Sequence, residues 1–195
     1  MIDNRYSLID RAILFAVSAH AGAKRKGSNL PYILHPLDVG KITSTMTDDE
    51  EVIAAAILHD TVEDVLEVDL DTIRRGFGDR VAELVASESE DKRPDEDPSH
   101  TWEIRKQETL NALGGSSLDV KRIALADKLS NLRDMYMDQL ELGDALWQRF
   151  NQKDKKMHAW YYGGIQEKTM ELKDTTAWKA YGRYYKMVFG EDHDD

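Results

Sequence analysis

Four side chains in this 195-residue sequence stand where apolar helical patterns have no use for them. His35 follows Tyr32-Ile33-Leu34, His59-Asp60 closes the alanine-rich run AAAILHD, and Asp127 interrupts IALADKLSNL. Apolar runs bury, and imidazoles and carboxylates resist burial unless something compensates them. Singly, each has a structural explanation: His35 as part of a helix start, His59-Asp60 as a capped helix end, Asp127 as the core partner of an arginine. Together, two imidazoles and two carboxylates suit Mn2+, Fe2+ or another divalent first-row ion. Two neutral and two anionic donors roughly balance such a charge, and a six-coordinate ion keeps positions for water and a phosphate oxygen. A second acidic pair, Glu63-Asp64, falls four residues beyond His59-Asp60, one turn along the same helical faces.

Composition narrows the setting. The length fits one domain with a real core. The 32% of charged residues suit a soluble surface, and the absence of cysteine excludes disulfides, thiolate metal sites and a cysteine nucleophile. A net charge of −11 argues against general nucleic-acid binding. The one basic triple, Lys24-Arg25-Lys26, reads most simply as a solvated loop. The N-terminal stretch lacks the pattern of a signal peptide, and no apolar run reaches the roughly 18 residues of a membrane span. A cytoplasmic protein with no membrane partner is expected.

Helical periodicity dominates the elements that must position these groups. An amphipathic helix is expected over 8–20, capped by Asn4 or Ser7, then a turn-rich loop over 21–34 holding the basic triple. Helices follow over 36–45, with His35 at the start, and from about 48 to 60 or slightly beyond. Shorter helices are expected over 69–75 and 79–87, with Gly76-Phe77-Gly78 as the turn between them. The charged, proline-bearing segment 88–100 reads as an exposed loop or a lid. Helices then run over 101–113 and, from a Ser116 or Ser117 cap, to about 140; Asp127, Asn131 and Asp134 form one stripe on the latter. Two or three aromatic-rich helices over 143–189 read as a packing layer, able to serve a core or a homo-oligomer interface, and 191–195 as an acidic tail. No strand is convincing. The expected fold is all-α, a compact bundle of about nine to ten helices, with one domain over 1–190 whose motif-bearing part is 8–136.

The pattern His35, His59-Asp60, Asp127 resembles the H…HD…D signature of the HD-domain metal-dependent phosphohydrolases. RKGSNLPYILHP, AAAILHDTVED, FGDRVAELV, EIRK and LADKLSNLR, in this order, resemble more closely the hydrolase domain of the RelA/SpoT family of alarmone hydrolases. That resemblance implies His35, His59, Asp60 and Asp127 as ligands of one Mn2+ ion, and Glu63 and Asp64 as the pair that orients and deprotonates the attacking water. It implies Arg25 and Lys26 as cations meeting the substrate, and Asn131 as a neighbour of the nucleoside. The implied reaction removes the 3′-pyrophosphate of guanosine tetra- or pentaphosphate, a small-molecule nucleotide. Long family members carry a synthetase domain after the hydrolase, so the resemblance points to a stand-alone small hydrolase. Departures fall on the substrate side. The family's ADRLHNMRT is ADKLSNLRD here, placing Ser130 for a histidine and Asp134 for a threonine, and VASESEDK differs from the usual G-V-T-K segment. Two alternatives stand beside the alarmone: an HD phosphohydrolase for another nucleotide or phosphorylated metabolite, and a regulatory module that keeps the fold without turnover.

Overall fold

Ser7 begins the first helix with a capping box. Its hydroxyl accepts the Asp10 N–H at 3.1 Å while the Asp10 carboxylate accepts the Ser7 N–H at 3.1 Å. The computed structural model describes residues 5–90, 93 and 95–190, so the alternative cap Asn4 and the expected acidic tail at 191–195 lie outside the described residues. Helix α1 (Leu8–Ala19) packs on α3. The loop that follows is closed on itself: Arg25 N–H donates to Leu30 O at 3.0 Å and Tyr32 N–H to Ala23 O at 2.9 Å. Gly27 turns its tip with φ 81°, a backbone conformation that favours glycine, and a Cβ there would fall 2.5 Å from Arg149 Nη1 and displace that side chain.

Helix α2 (Leu34–Thr43) starts earlier than the expected 36–45 and takes His35 into its first turn. Turn bonds from Leu34 and His35 N–H back to Pro31 and Tyr32 O have already wound the chain there, and Pro36 loses no helical bond in a first turn. Asp49 caps α3 (Glu50–Leu58), whose seven residues Val52–Leu58 are all buried. The expected continuous helix through Asp60 is instead interrupted, and a single turn, α4 (Thr61–Asp64), resumes beyond it. The cause is local: His59 Nδ1 bonds to Ala56 O at 2.9 Å and Thr61 Oγ1 to Leu58 O at 2.7 Å, so side-chain donors compete for the last carbonyls.

Helices α5 (Leu70–Phe77) and α6 (Asp79–Glu88) meet at Gly78, φ 98°. Phe77 belongs to α5 rather than to a turn, because its ring packs edge-on against Phe15 at 5.5 Å. Helix α7 (Pro98–Gly114) begins three residues before the expected 101, since Asp97 caps it and Pro98 takes the first position. The segment expected as loop or lid is thus shortened from both ends, and residues 91, 92 and 94 of it lie outside the description. Helix α8 (Leu118–Leu142) is capped by Ser117 and stopped by Gly143, φ 57°. A 3-10 turn over Gly143–Arg149, α9 (Lys155–Lys168), a short 3-10 turn over Met170–Leu172 and α10 (Thr176–Phe189) complete the described chain.

The described residues are all-α, with ten α-helices and only an isolated bridge between Lys24 and Pro31. Helix α8 is the axis, in contact with α2, α3, α6, α9 and α10. In the aromatic C-terminal part Trp147, Tyr161, Tyr162 and Tyr181 are buried while Trp160 is exposed, and Tyr181 donates its hydroxyl proton to Tyr162 O at 2.8 Å. Among the described residues no helix is long and apolar enough to cross a membrane.

Candidate metal centre and its two cavities

Three helices that pack on one another each deliver one donor. Helix α2 supplies His35, the C-terminal end of α3 supplies His59, and α8 supplies Asp127; all three are buried, and one ligand atom from each lies within 4.8 Å of the others. Asp127 Oδ1 stands 3.1 Å from His35 Nε2 and 3.8 Å from His59 Nε2. Asp60, at the start of α4, adds Oδ2 at 3.0 Å from His59 Nε2 and 3.6 Å from His35 Nε2. His35, His59 and Asp127 thus form one cluster, and Asp60 lies beside it against both imidazoles.

The donor set fits a cation on an observation of its own. His59 Nδ1 donates its proton to the Ala56 carbonyl, which turns Nε2 toward the carboxylates of Asp60 and Asp127 at 3.0 and 3.8 Å. That Nε2 is buried without a hydrogen-bond partner. Two carboxylates facing buried imidazole nitrogens need a positive charge between them, from a proton or from a cation. Burial alone would depress the His59 pKa, but Asp60 and Asp127 outweigh it and push the imidazole up to about 9. Against the opposing effect of burial, Lys128 first and then the His35 and His59 imidazoles hold the Asp127 carboxyl well below the usual range. A divalent ion supplies the charge these groups otherwise draw from protons.

Each donor is oriented from behind. Ser130 Oγ lies 3.0 Å from His35 Nδ1, which gives this departure from the family pattern a place at the site. Tyr32 donates its hydroxyl proton to Asp60 Oδ2 at 2.6 Å, Asn131 Nδ2 donates to Asp127 Oδ1 at 2.6 Å, and Lys128 Nζ pairs with Asp127 Oδ2. Burial and the neighbouring Asp60 raise the Tyr32 phenol far above its ordinary value, so it stays a donor. Arg25 joins this network, donating to Asn131 and Asp134. Lys26 does not; its ammonium lies 5.7 Å from the Phe150 ring centroid.

Residues 12–148 match the HD domain family. The chain belongs to that family. This HD domain is 39% identical over 128 residues to a GTP pyrophosphokinase of Streptomyces coelicolor, covering 65% of this chain and 14% of that protein. It is 37% identical over 124 residues to the guanosine-3′,5′-bis(diphosphate) 3′-pyrophosphohydrolase of Mus musculus, covering 62% of this chain and 65% of that one. The chain thus spans less than two thirds of the length of either relative. Among solved structures, a metazoan SpoT ortholog described as hydrolysing ppGpp superposes with a TM-score of 0.70 at 25% identity, covering 95% of this chain and 97% of its own.

Two cavities flank the HD centre and divide the second acidic pair. Glu63 lines one of about 260 Å³ together with His59, Asp60 and Asp127, and accepts a long bond from the Glu90 N–H at 3.4 Å. Asp64 lines the other, of about 390 Å³, with His20, Lys24 and Tyr32. Asp64 keeps its helical relation to Asp60 through a 2.9 Å backbone bond, yet the two acids open to different sides. The first wall also carries the charged groups Glu88, Glu90, Arg105, Lys106, Glu108 and Lys128, for which the sequence pattern suggests no role. Glu90 accepts from Lys106 Nζ at 3.0 Å and pairs with Arg105 Nη1. The segment EIRK holds two of these cations, and its adjacent Arg-Lys pair is the sequence signal for them.

Proposed function

We propose that this HD domain is a metal-dependent phosphohydrolase that removes the 3′-pyrophosphate of guanosine 3′,5′-bis(diphosphate) or the pentaphosphate, giving GDP or GTP and pyrophosphate. The observation that carries the reading is the cluster of His35, His59 and Asp127 with Asp60 against both imidazoles, beside a cavity that Glu63 lines. The names borne by the mouse relative and the metazoan structure support the substrate. His35, His59, Asp60 and Asp127 would hold the ion, with Mn2+ as the preferred metal. Bound there, the ion supplies Lewis-acid chemistry, neutralising phosphate charge and lowering the pKa of water.

The chain's own groups do the rest. Glu63 takes the proton of the attacking water, and Asp64 helps to orient that water from the Tyr32 side. Water oxygen bonds to the phosphorus attached to the 3′ oxygen, the bond to that oxygen breaks, and the oxygen leaves with a proton as the nucleoside hydroxyl. Arg25 and Lys26 meet substrate phosphate, and Asn131 stands by the nucleoside. A second reading, an HD phosphohydrolase for a different nucleotide, is favoured by one feature: Asp134, where the alarmone pattern has threonine, pairs with Arg25 at 2.6 Å. Incubation with Mn2+ and a panel of nucleotides separates the two. Pyrophosphate from the tetraphosphate is the expected result, while orthophosphate from another nucleotide with the tetraphosphate intact supports the second reading.

A further inference from the structure

Arg25 offers five N–H groups in a planar fork, and that fork is what suits it to phosphate. Here one edge of the fork is already engaged. Nε donates to Asp134 Oδ2 at 3.0 Å and Nη2 donates to the same oxygen at 2.6 Å. Nη2 also donates to Asn131 Oδ1 at 2.8 Å. Among the described residues only Nη1 makes no hydrogen bond to protein. The guanidinium lies 5.7 Å from the Tyr32 ring centroid, which limits its tilt. The Asn131 amide is fixed by both neighbours: its oxygen must face the Arg25 donor and its nitrogen the Asp127 acceptor. Asp134 itself is largely exposed, with 56% of its side-chain surface accessible against 19% for Arg25. It adds little to the core and can be reached by solvent and ligand.

We propose that Asp134 is a specificity-determining positioning residue that acts through Arg25. It closes the Nε/Nη2 edge, so that a phosphate group meets one nitrogen of Arg25 rather than a two-nitrogen fork. This rests on the reading above that Arg25 faces the phosphates of a nucleotide. A phosphate that would take the fork must displace a carboxylate of the same charge, and Asp134 also cancels part of the positive potential that would draw the anion in. Asp134 thereby weakens recognition of the phosphate group that Arg25 meets and leaves anchoring of the reacting group to the HD centre.

The test is a double-mutant cycle on Asp134→Asn and Arg25→Ala. Initial rates of pyrophosphate release from guanosine tetraphosphate with Mn2+ give KM and kcat. Calorimetric titration of the metal-loaded proteins with GDP gives affinity without turnover. Asp134→Asn is expected to lower KM and the GDP Kd about two- to fivefold, the span of an exposed ion pair, and to steepen their dependence on salt. The same substitution in the Arg25→Ala background is expected to change neither. Unchanged or weaker GDP binding by Asp134→Asn, or an effect that survives without Arg25, overturns the proposal. If the wild-type protein releases no pyrophosphate, the alarmone reading fails while the GDP cycle still decides the role of Asp134; absence of GDP binding in all four proteins counts against both.

Discussion

Glu63 and Asp64 are neighbours in the chain but open onto different cavities, and only Glu63 shares its cavity with His59, Asp60 and Asp127. Glu63→Gln keeps size and polarity and removes the proposed base, so it should retain the metal, measured by elemental analysis, while kcat falls about 10²- to 10⁴-fold. Glu88 carries a pH prediction of its own. Burial first, then the carboxylates of Asp127 and Asp60, push its pKa from an ordinary 4.5 up to about 8, against the pull of Lys128. The folded metal-free protein therefore holds a proton there that the unfolded chain releases near 4.5. Stability from this group is complete below that value and is lost as pH rises through about 8. Glu88→Gln, which cannot ionise, should gain denaturant stability over the wild type as pH is raised from about 5 to 8; an equal difference at both ends refutes the assignment. The metal-binding candidates were legible because each is a polar group inside an apolar helical pattern, which periodicity exposes. Glu88 was not: at the end of α6, next to a run of charges, nothing in its surroundings marks it as turned inward.

Helices α2 and α3 owe their close approach to Gly40. A Cβ there would stand 2.4 Å from Ile57 Cγ1, so the helices must separate or Ile57 must leave its place. Because α2 carries His35 and α3 ends at His59, separation also pulls two donors apart. Gly40→Ala should cost about 1–3 kcal/mol of stability in denaturant unfolding, and should weaken metal binding in the same protein. Loss of stability with unchanged metal affinity would show that the donors are held by something other than this contact. The helices themselves were readable from caps and 3.6-residue spacing, down to the glycines that end them and a cap at Ser116 or Ser117, of which the structure uses Ser117. The interruption at His59-Asp60 was not, because it comes from side chains bonding to Ala56 and Leu58 carbonyls. Propensity does not anticipate that competition in a run of alanines. The early start of α7 was missed for a simpler reason: the charged run 88–100 masked the Asp97-Pro98 cap.

His35 and His59 sit on consecutive helices and Asp127 on the distant α8, and one ion would tie all three to each other. Chelation should therefore lower the thermal midpoint of the wild-type protein. At a free ion concentration a hundredfold above Kd the difference is about 2.7 kcal/mol. Asp127→Ala should melt at the same temperature with and without chelator. The all-α bundle and its aromatic C-terminal layer followed from the lack of strand patterns and from helical spacing of the rings. The pairing of Arg25 with Asp134, 109 positions away, follows only from how α8 lies against the loop before α2. That pairing has a consequence for ligand binding. Arg25 touches Tyr32 and Asn131, and these donate to Asp60 and Asp127. The ion and the nucleotide are then two corners of one thermodynamic square. Whatever factor a bound nucleotide adds to the grip on the ion, the ion must return to the nucleotide in full.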